Sequence, residues 1–247
     1  LKYAIDDEGD VIRATASTRL FRDDYLLSER SPSVYRNRHR TITSAVMMDG
    51  LRHLPSPVAL RWRLLAEDER IDSSGIHGGA PTAGLGQHDR QRLGATLLPE
   101  VDLGDLTLHA GGQVLMFSDS GVGLLALGGV EWRLTPGQTL ALSYTETARQ
   151  PSFTELDYAS PTSLGNRGLD NEMSHELGLS LASAWSAEVH TRIVVYRRET
   201  DNTTDWIRAA PGGRWLATDV GTVVTTGAEM EATWAPNERV TGSLTYA

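Results

Sequence analysis

Apolar and polar residues alternate with period two along most of the chain. Leu177, Leu179, Leu181 and Trp185 fall between Glu176, Gly178, Ser180, Ala182 and Ala184. Val189, Ile193 and Val195 alternate with Glu188, His190 and Arg192, and Val224, Ala228, Met230 and Trp234 with Thr225, Gly227, Glu229 and Glu231. Val58, Leu60, Trp62 and Leu64 oppose Arg61 and Arg63 in the same way. Alternation this sustained predicts strands with one apolar and one polar face, and no comparable 3.6-residue period competes with it. Eleven strands are expected, at 12–23, 40–53, 57–68, 89–100, 104–117, 122–134, 138–149, 174–184, 187–199, 215–234 and 238–247.

The connections sort into two lengths. Short turns are built on Leu54–Pro57, Val101–Gly104, Thr135–Gln138, Ser186 and Ala235–Glu238. Longer segments cover 24–39, 69–88, 150–173 and 200–214, and they alternate with the short ones; 118–121 is short where a long one is expected. In an up-and-down antiparallel sheet, successive connections emerge at opposite ends, so this order puts the long loops together. Outer-membrane barrels have that asymmetry. Trp132, Trp185 and Trp234 each lie within three residues of a short turn, where an aromatic belt at a lipid–water boundary would place them. The fold class read from the pattern is all-β, an antiparallel up-and-down transmembrane β-barrel.

Composition narrows the function. The 247 residues include no cysteine, which excludes a disulfide framework and thiolate metal sites. A net charge of −9 argues against sequence-independent nucleic-acid binding. No run of 18 apolar residues exists to form a transmembrane helix, a test blind to strands. Enzyme signatures are scarce. Phe117–Gly121 lacks the first glycine of a nucleophile elbow and lies between strands. The glycine-rich segment 75–89 has no P-loop lysine, opens no helix and reads as a mobile loop. The chain is therefore expected not to be an enzyme. Both ends read as cut, because residue 1 is Leu and the last residues stop within an alternating run.

The segments YTETARQPSFTELDY (144–158) and SLGNRGLDNEMSHELGL (163–179) resemble the barrel of TonB-dependent outer-membrane receptors. The matching residues are Arg149, Pro151, Ser152, Phe153, Glu155 and Leu156, then Gly165, Asn166, Leu169, Glu172, Ser174, Glu176 and Gly178. Residues 196–234, with Asp205, Trp206, Gly221, Gly227, Glu229 and Glu231, look like the vitamin B12 and siderophore branch. The resemblance implies that residues 1–247 belong to one barrel domain, about 11 of about 22 strands, with the plug domain and both barrel ends lying outside it. Two open edges would then keep this piece from inserting or transporting alone.

The implied function is energy-coupled uptake, across a bacterial outer membrane, of a scarce large nutrient such as a ferric siderophore or a corrinoid. The partners implied are that metal chelate or corrinoid, a TonB-type energy-coupling protein acting through the plug, and outer-membrane lipid. No cofactor and no resident metal are implied. Ligand contact is expected from the loop residues Arg149, Asp157, Tyr158, Asp205, Trp206, Arg208 and Trp215, whose aromatic and charged groups suit a flat polar ligand. His190, Arg192, Glu229 and Glu231 are expected to face the plug or lumen water. The Pro-Ser-Phe-Thr-Glu run is expected to order the strand's outer end. Two other readings share the alternation: a passive porin-like channel without a plug, and a secreted soluble β-sandwich that binds carbohydrate.

Overall fold

The computed structural model describes residues 2–7, 10–82, 84–237 and 239–247, with side chains from residue 10 onward. Twelve strands form one continuous antiparallel sheet: β1 (Lys2–Asp7), β2 (Asp10–Leu26), β3 (Tyr35–His53), β4 (Val58–His77), β6 (Gln87–Asp102), β7 (Leu106–Phe117), β8 (Gly121–Thr135), β9 (Gln138–Arg149), β11 (Glu172–Ala184), β12 (Val189–Asp201), β15 (Val223–Asn237) and β16 (Val240–Tyr246). The short β5 (Ala80–Thr82) pairs with the end of β4. Each of the twelve strands lies beside the next of them in chain order, and β1 and β16 do not pair. The sheet is thus an up-and-down meander, open at two edges: part of a barrel and not a sandwich.

The register explains the alternation. Val58, Val101, Leu108, Val130, Leu142, Leu179, Val195 and Ala228 are successive cross-strand partners, an apolar row eight strands wide. Two residues nearer the short turns run Leu106, Trp132, Leu140, Leu181, Ile193, Met230 and Tyr246. Much of this face is open: Leu179 is 42% exposed, Leu97 57% and Tyr246 74%. So broad an apolar surface without a protein partner is what a lipid-facing barrel wall requires. Trp132 and Trp234 share this face at its short-turn end, and Trp185 is exposed at the same end.

The opposite face carries ion pairs between neighbouring strands: Arg61 with Glu100 at 2.8 Å, Arg92 with Glu67 at 3.0 Å and Arg198 with Glu176 at 2.6 Å. His190, Arg192, Glu229 and Glu231 belong to this face by register, Arg192 directly opposite Glu231.

Four expectations about extent need correction. A twelfth strand, β1, precedes the eleven. β4 runs to His77, nine residues past the predicted end, and β2 and β3 extend the same way, so half of the segment 24–39 and most of 69–88 are strand. The apolar signal stops early because alternation needs lipid on one side; beyond the belt both faces are wet, and Glu67, Asp68, Glu69 and Arg70 follow in a row. The glycine-rich segment 75–89 is likewise shared among β4, β5 and β6, and its Leu85 is buried against Ile71 and Phe153. The predicted strand 215–234 is two, β14 (Trp215–Asp219) and β15, divided at Gly221, whose φ of +85° suits glycine. The Asp219 carboxylate accepts the Gly221 N–H there, at 2.7 Å.

At Gly111 the neighbouring strand β6 leaves no room for a side chain. Pro99 in β6 has no N–H to give β7, and the β6–β7 ladder resumes only at Leu97–Gly112 and Glu100–His109 on either side. A Cβ at position 111 would overlap the carbonyl oxygen of Leu97, which is backbone and cannot swing away. Gly111→Ala is expected to destabilise the sheet by about 2 kcal/mol, read as a lowered urea midpoint of the membrane-embedded protein. An unchanged midpoint would mean the strands can separate there at no cost.

Candidate ligand-binding site

The loop between β9 and β11 folds back over the polar face. It opens with Pro151, fully buried, and a single helical turn, α1 (Phe153–Asp157). Ser152 caps that turn: its hydroxyl accepts the Glu155 N–H at 3.2 Å, and the Glu155 carboxylate accepts the Ser152 N–H at 2.7 Å. Phe153 inserts its ring between Ile71 of β4 and Leu85. Above the ring the Arg90 guanidinium lies 4.4 Å from its centroid, and the His88 ring stacks at 5.8 Å. Arg90 also donates to the Pro151 carbonyl at 2.7 Å and to Glu69 at 2.6 Å.

Arg149, the last residue of β9, joins three chain segments. It donates to Glu172 at 2.6 Å and to Glu155 at 3.0 Å. Glu172 in turn accepts the Thr204 N–H at 2.8 Å, across the next loop. Burial works to raise the Glu155 carboxyl, but hydrogen bonds from Arg149 and the Ser152 backbone outweigh it and hold it below its ordinary 4.5. Gly165 closes the turn: its N–H reaches the Tyr158 carbonyl at 2.6 Å, and a Cβ there would lie 2.8 Å from backbone atoms of Leu156 and Tyr158.

The two longest loops are stitched together by a second sheet. β10 (Ser163–Leu164) runs parallel to β14, and β13 (Thr204–Ile207) runs antiparallel to β14. Trp206 and Trp215 come from β13 and β14. Ala217, paired with Trp206, has no exposed surface.

Between this sheet and the outer ends of β2, β3 and β4 lies a cleft of about 610 Å³. Tyr25, Tyr35, His77, Tyr158, Trp206 and Trp215 give it an aromatic lining. Tyr35 meets Tyr25 edge-on at 6.2 Å and His77 edge-on at 5.9 Å. Its hydroxyl lies 2.8 Å from that of Tyr158, and the buried Asn37 amide donates to both, at 2.9 and 3.1 Å. Burial, with the hydrogen bond to Tyr35, pushes the Tyr158 phenol up to about 12, so it stays neutral. His39 sits deeper, 2.7 Å from the Ser73 hydroxyl, and Asp23 stands opposite it on β2.

The seven expected ligand residues separate in this geometry. Tyr158, Trp206 and Trp215 come together in the cleft. Arg208 backs it, its guanidinium 4.9 Å from the Trp215 ring centroid. Arg149 is committed to the carboxylate junction. The Asp157 carboxylate is only 8% exposed and is held by Arg167 at 2.6 Å. Asp205 is exposed and accepts the N–H of Trp206 at 2.7 Å. Sequence reading missed Asp23, Tyr25, Tyr35, Asn37, His39 and His77, all on segments read as loops or at their borders. A signal was present: Tyr35, Asn37 and His39 alternate with Arg36, Arg38 and Arg40.

The family model for TonB dependent receptor-like β-barrels matches residues 6–247. The chain belongs to this family of outer-membrane barrels. Among solved structures it resembles the siderophore receptor PirA from Pseudomonas aeruginosa at 12% identity and a TM-score of 0.66, covering 96% of this chain and 48% of that one. The FrpB iron transporter from Neisseria meningitidis aligns at 13% identity and a TM-score of 0.65, over 96% of this chain and 41% of that one. The ferric enterobactin receptor PfeA of Pseudomonas aeruginosa aligns at 13% and 0.66, over 96% and 40%. The chain thus spans less than half the length of these structures. No curated protein matches it in sequence.

Proposed function

We propose that the chain is about half of the barrel of an outer-membrane receptor that imports a scarce metal chelate or a corrinoid, driven by a TonB-type coupling protein acting through a plug domain. The observation that carries this reading is the aromatic cleft at the long-loop end of the sheet, on the face turned away from lipid. A ligand arriving from outside meets that end first. Loops fastened by Arg149 and Phe153 give it a preformed wall, which lowers the ordering cost of binding. His190, Arg192, Glu229 and Glu231, lower on the same face, are placed to meet a plug or lumen water. The reading is transport and not catalysis: the groups around the cleft bind and orient, and the family's members are transporters. The iron and siderophore receptors among the structural neighbours support the ligand class.

The test is uptake of labelled ferric siderophores and of cobalamin by cells with and without the protein. The double variant Trp206→Ala, Trp215→Ala is expected to lower uptake of the preferred nutrient about tenfold or more, since aromatic anchors in a binding pocket contribute a few kcal/mol. Uptake of every chelate and of cobalamin unaffected by loss of the protein would remove the receptor reading and leave the porin-like channel.

A further inference from the structure

We infer that the cleft selects uncharged or cationic ligands and rejects anionic chelates. The inference rests on the proposed role of the cleft as the outer binding site. Among the described residues lining it, Asp23 is the one carboxylate, and neither lysine nor arginine is present. The nearby cations are turned away or engaged. Arg36 and Arg38 alternate with Tyr35, Asn37 and His39 and so take the other face of β3, where both pair with Asp24. Arg90 is held by Glu69, and Arg167 by Asp157. Arg208 lies against the Trp215 ring without lining the cleft.

Some of the polar groups are spent on one another: the Asn37 amide donates to the Tyr35 and Tyr158 hydroxyls, which share a further hydrogen bond. An anion entering would lose its water and meet a carboxylate and the negative faces of aromatic rings, with no lysine or arginine among the described lining residues to compensate. A cation meets the reverse: ring faces that attract it and Asp23 at close range. Neutral ligands with flat apolar surfaces lose little on entering.

Charge separates the chelate classes cleanly. Three doubly deprotonated catechols around a ferric ion leave a complex of charge 3−, whereas three singly deprotonated hydroxamates leave it neutral, or cationic where a free amine is attached. The experiment measures equilibrium binding to the protein in outer-membrane vesicles, with three probes: a ferric tris-hydroxamate bearing an amine, cobalamin, and a ferric tris-catecholate. At least one of the first two is expected to bind about tenfold or more tighter than the catecholate. Asp23→Asn is expected to weaken the cationic hydroxamate and spare a neutral one, and Asp23→Arg to narrow or reverse the preference against the catecholate. An unchanged pattern of limited proteolysis shows that each variant keeps its loops folded. Catecholate binding equal to or tighter than the others overturns the charge selection and leaves the receptor reading standing. No binding of any probe overturns both.

Discussion

Phe153→Ala is expected to free the β9–β11 loop from the sheet, at a cost of about 3 kcal/mol. The ring is 7% exposed and is the contact through which α1 enters the wall formed by Ile71 and Leu85. Removing it leaves a cavity that neighbouring strands, fixed by their ladders, cannot close. It also uncovers the Arg90 guanidinium that lies over the ring. The consequence is not confined to the loop. Tyr158 follows α1 directly, and the Thr162 carbonyl accepts the Trp215 N–H at 2.7 Å, so the loop holds both aromatic walls of the cleft. Protease cleavage within residues 150–171 should accelerate, and ligand binding should fall with it. Urea unfolding of the twelve-stranded sheet should be nearly unchanged, because no ladder bond involves Phe153. Phe153→Leu, which refills most of the volume, should restore protection. Cleavage rates unchanged in the alanine variant would show that the loop is anchored elsewhere.

Apolar alternation made the wall of the barrel legible, and its limits follow from the same physics. From Leu177 to Trp185 or from Leu106 to Met116, one side of the strand meets lipid and the other does not, so period two is written in hydropathy. Past the lipid belt that contrast vanishes. Residues 67–77 of β4 show no apolar alternation, yet they are strand, because their backbone bonds to β3 throughout, to β6 as far as Asp72 and to β5 from Gly75, and the facing charges pair. There the pattern survives as charge against neutral, in Tyr35 to Arg40, a weaker signal.

The lining of the candidate cleft was legible where the loops carry it and hidden where the strands do. Tyr158, Trp206 and Trp215 stood out as aromatics in long connections. Their partners Tyr25, Tyr35 and His77 are more than eighty residues away in sequence, and no local pattern links them. Arg149 and Asp157 stand apart from the cleft, engaged in ion pairs. A charged residue in an exposed loop reads as available, but whether it is already paired depends on Glu155, Glu172 and Arg167 closing around it, which only the fold decides.

Arg149 therefore supplies the second large effect, a structural one. In Arg149→Ala the Glu155 and Glu172 carboxylates lose the cation they share; their side chains are only 15% and 12% exposed. Two half-buried like charges without a cation cost more than a severed surface pair, about 2 kcal/mol. Because Glu172 also accepts the Thr204 N–H, both long loops should become sensitive to protease together. Arg149→Lys should recover only part of the protection, since a point ammonium cannot serve both carboxylates as a planar fork does. The pH response separates this account from simple loss of packing. In the native protein the Glu155 carboxyl is held below its ordinary 4.5, so its contribution is present above that pH and fades as pH falls through the lower folded value. In Arg149→Ala the paired carboxylates instead repel, and acidification that protonates one of them should restore protection. Loop cleavage rates in the two proteins should thus converge as pH falls from neutrality toward 4, and parallel profiles would rule out the carboxylate junction as the fastening point.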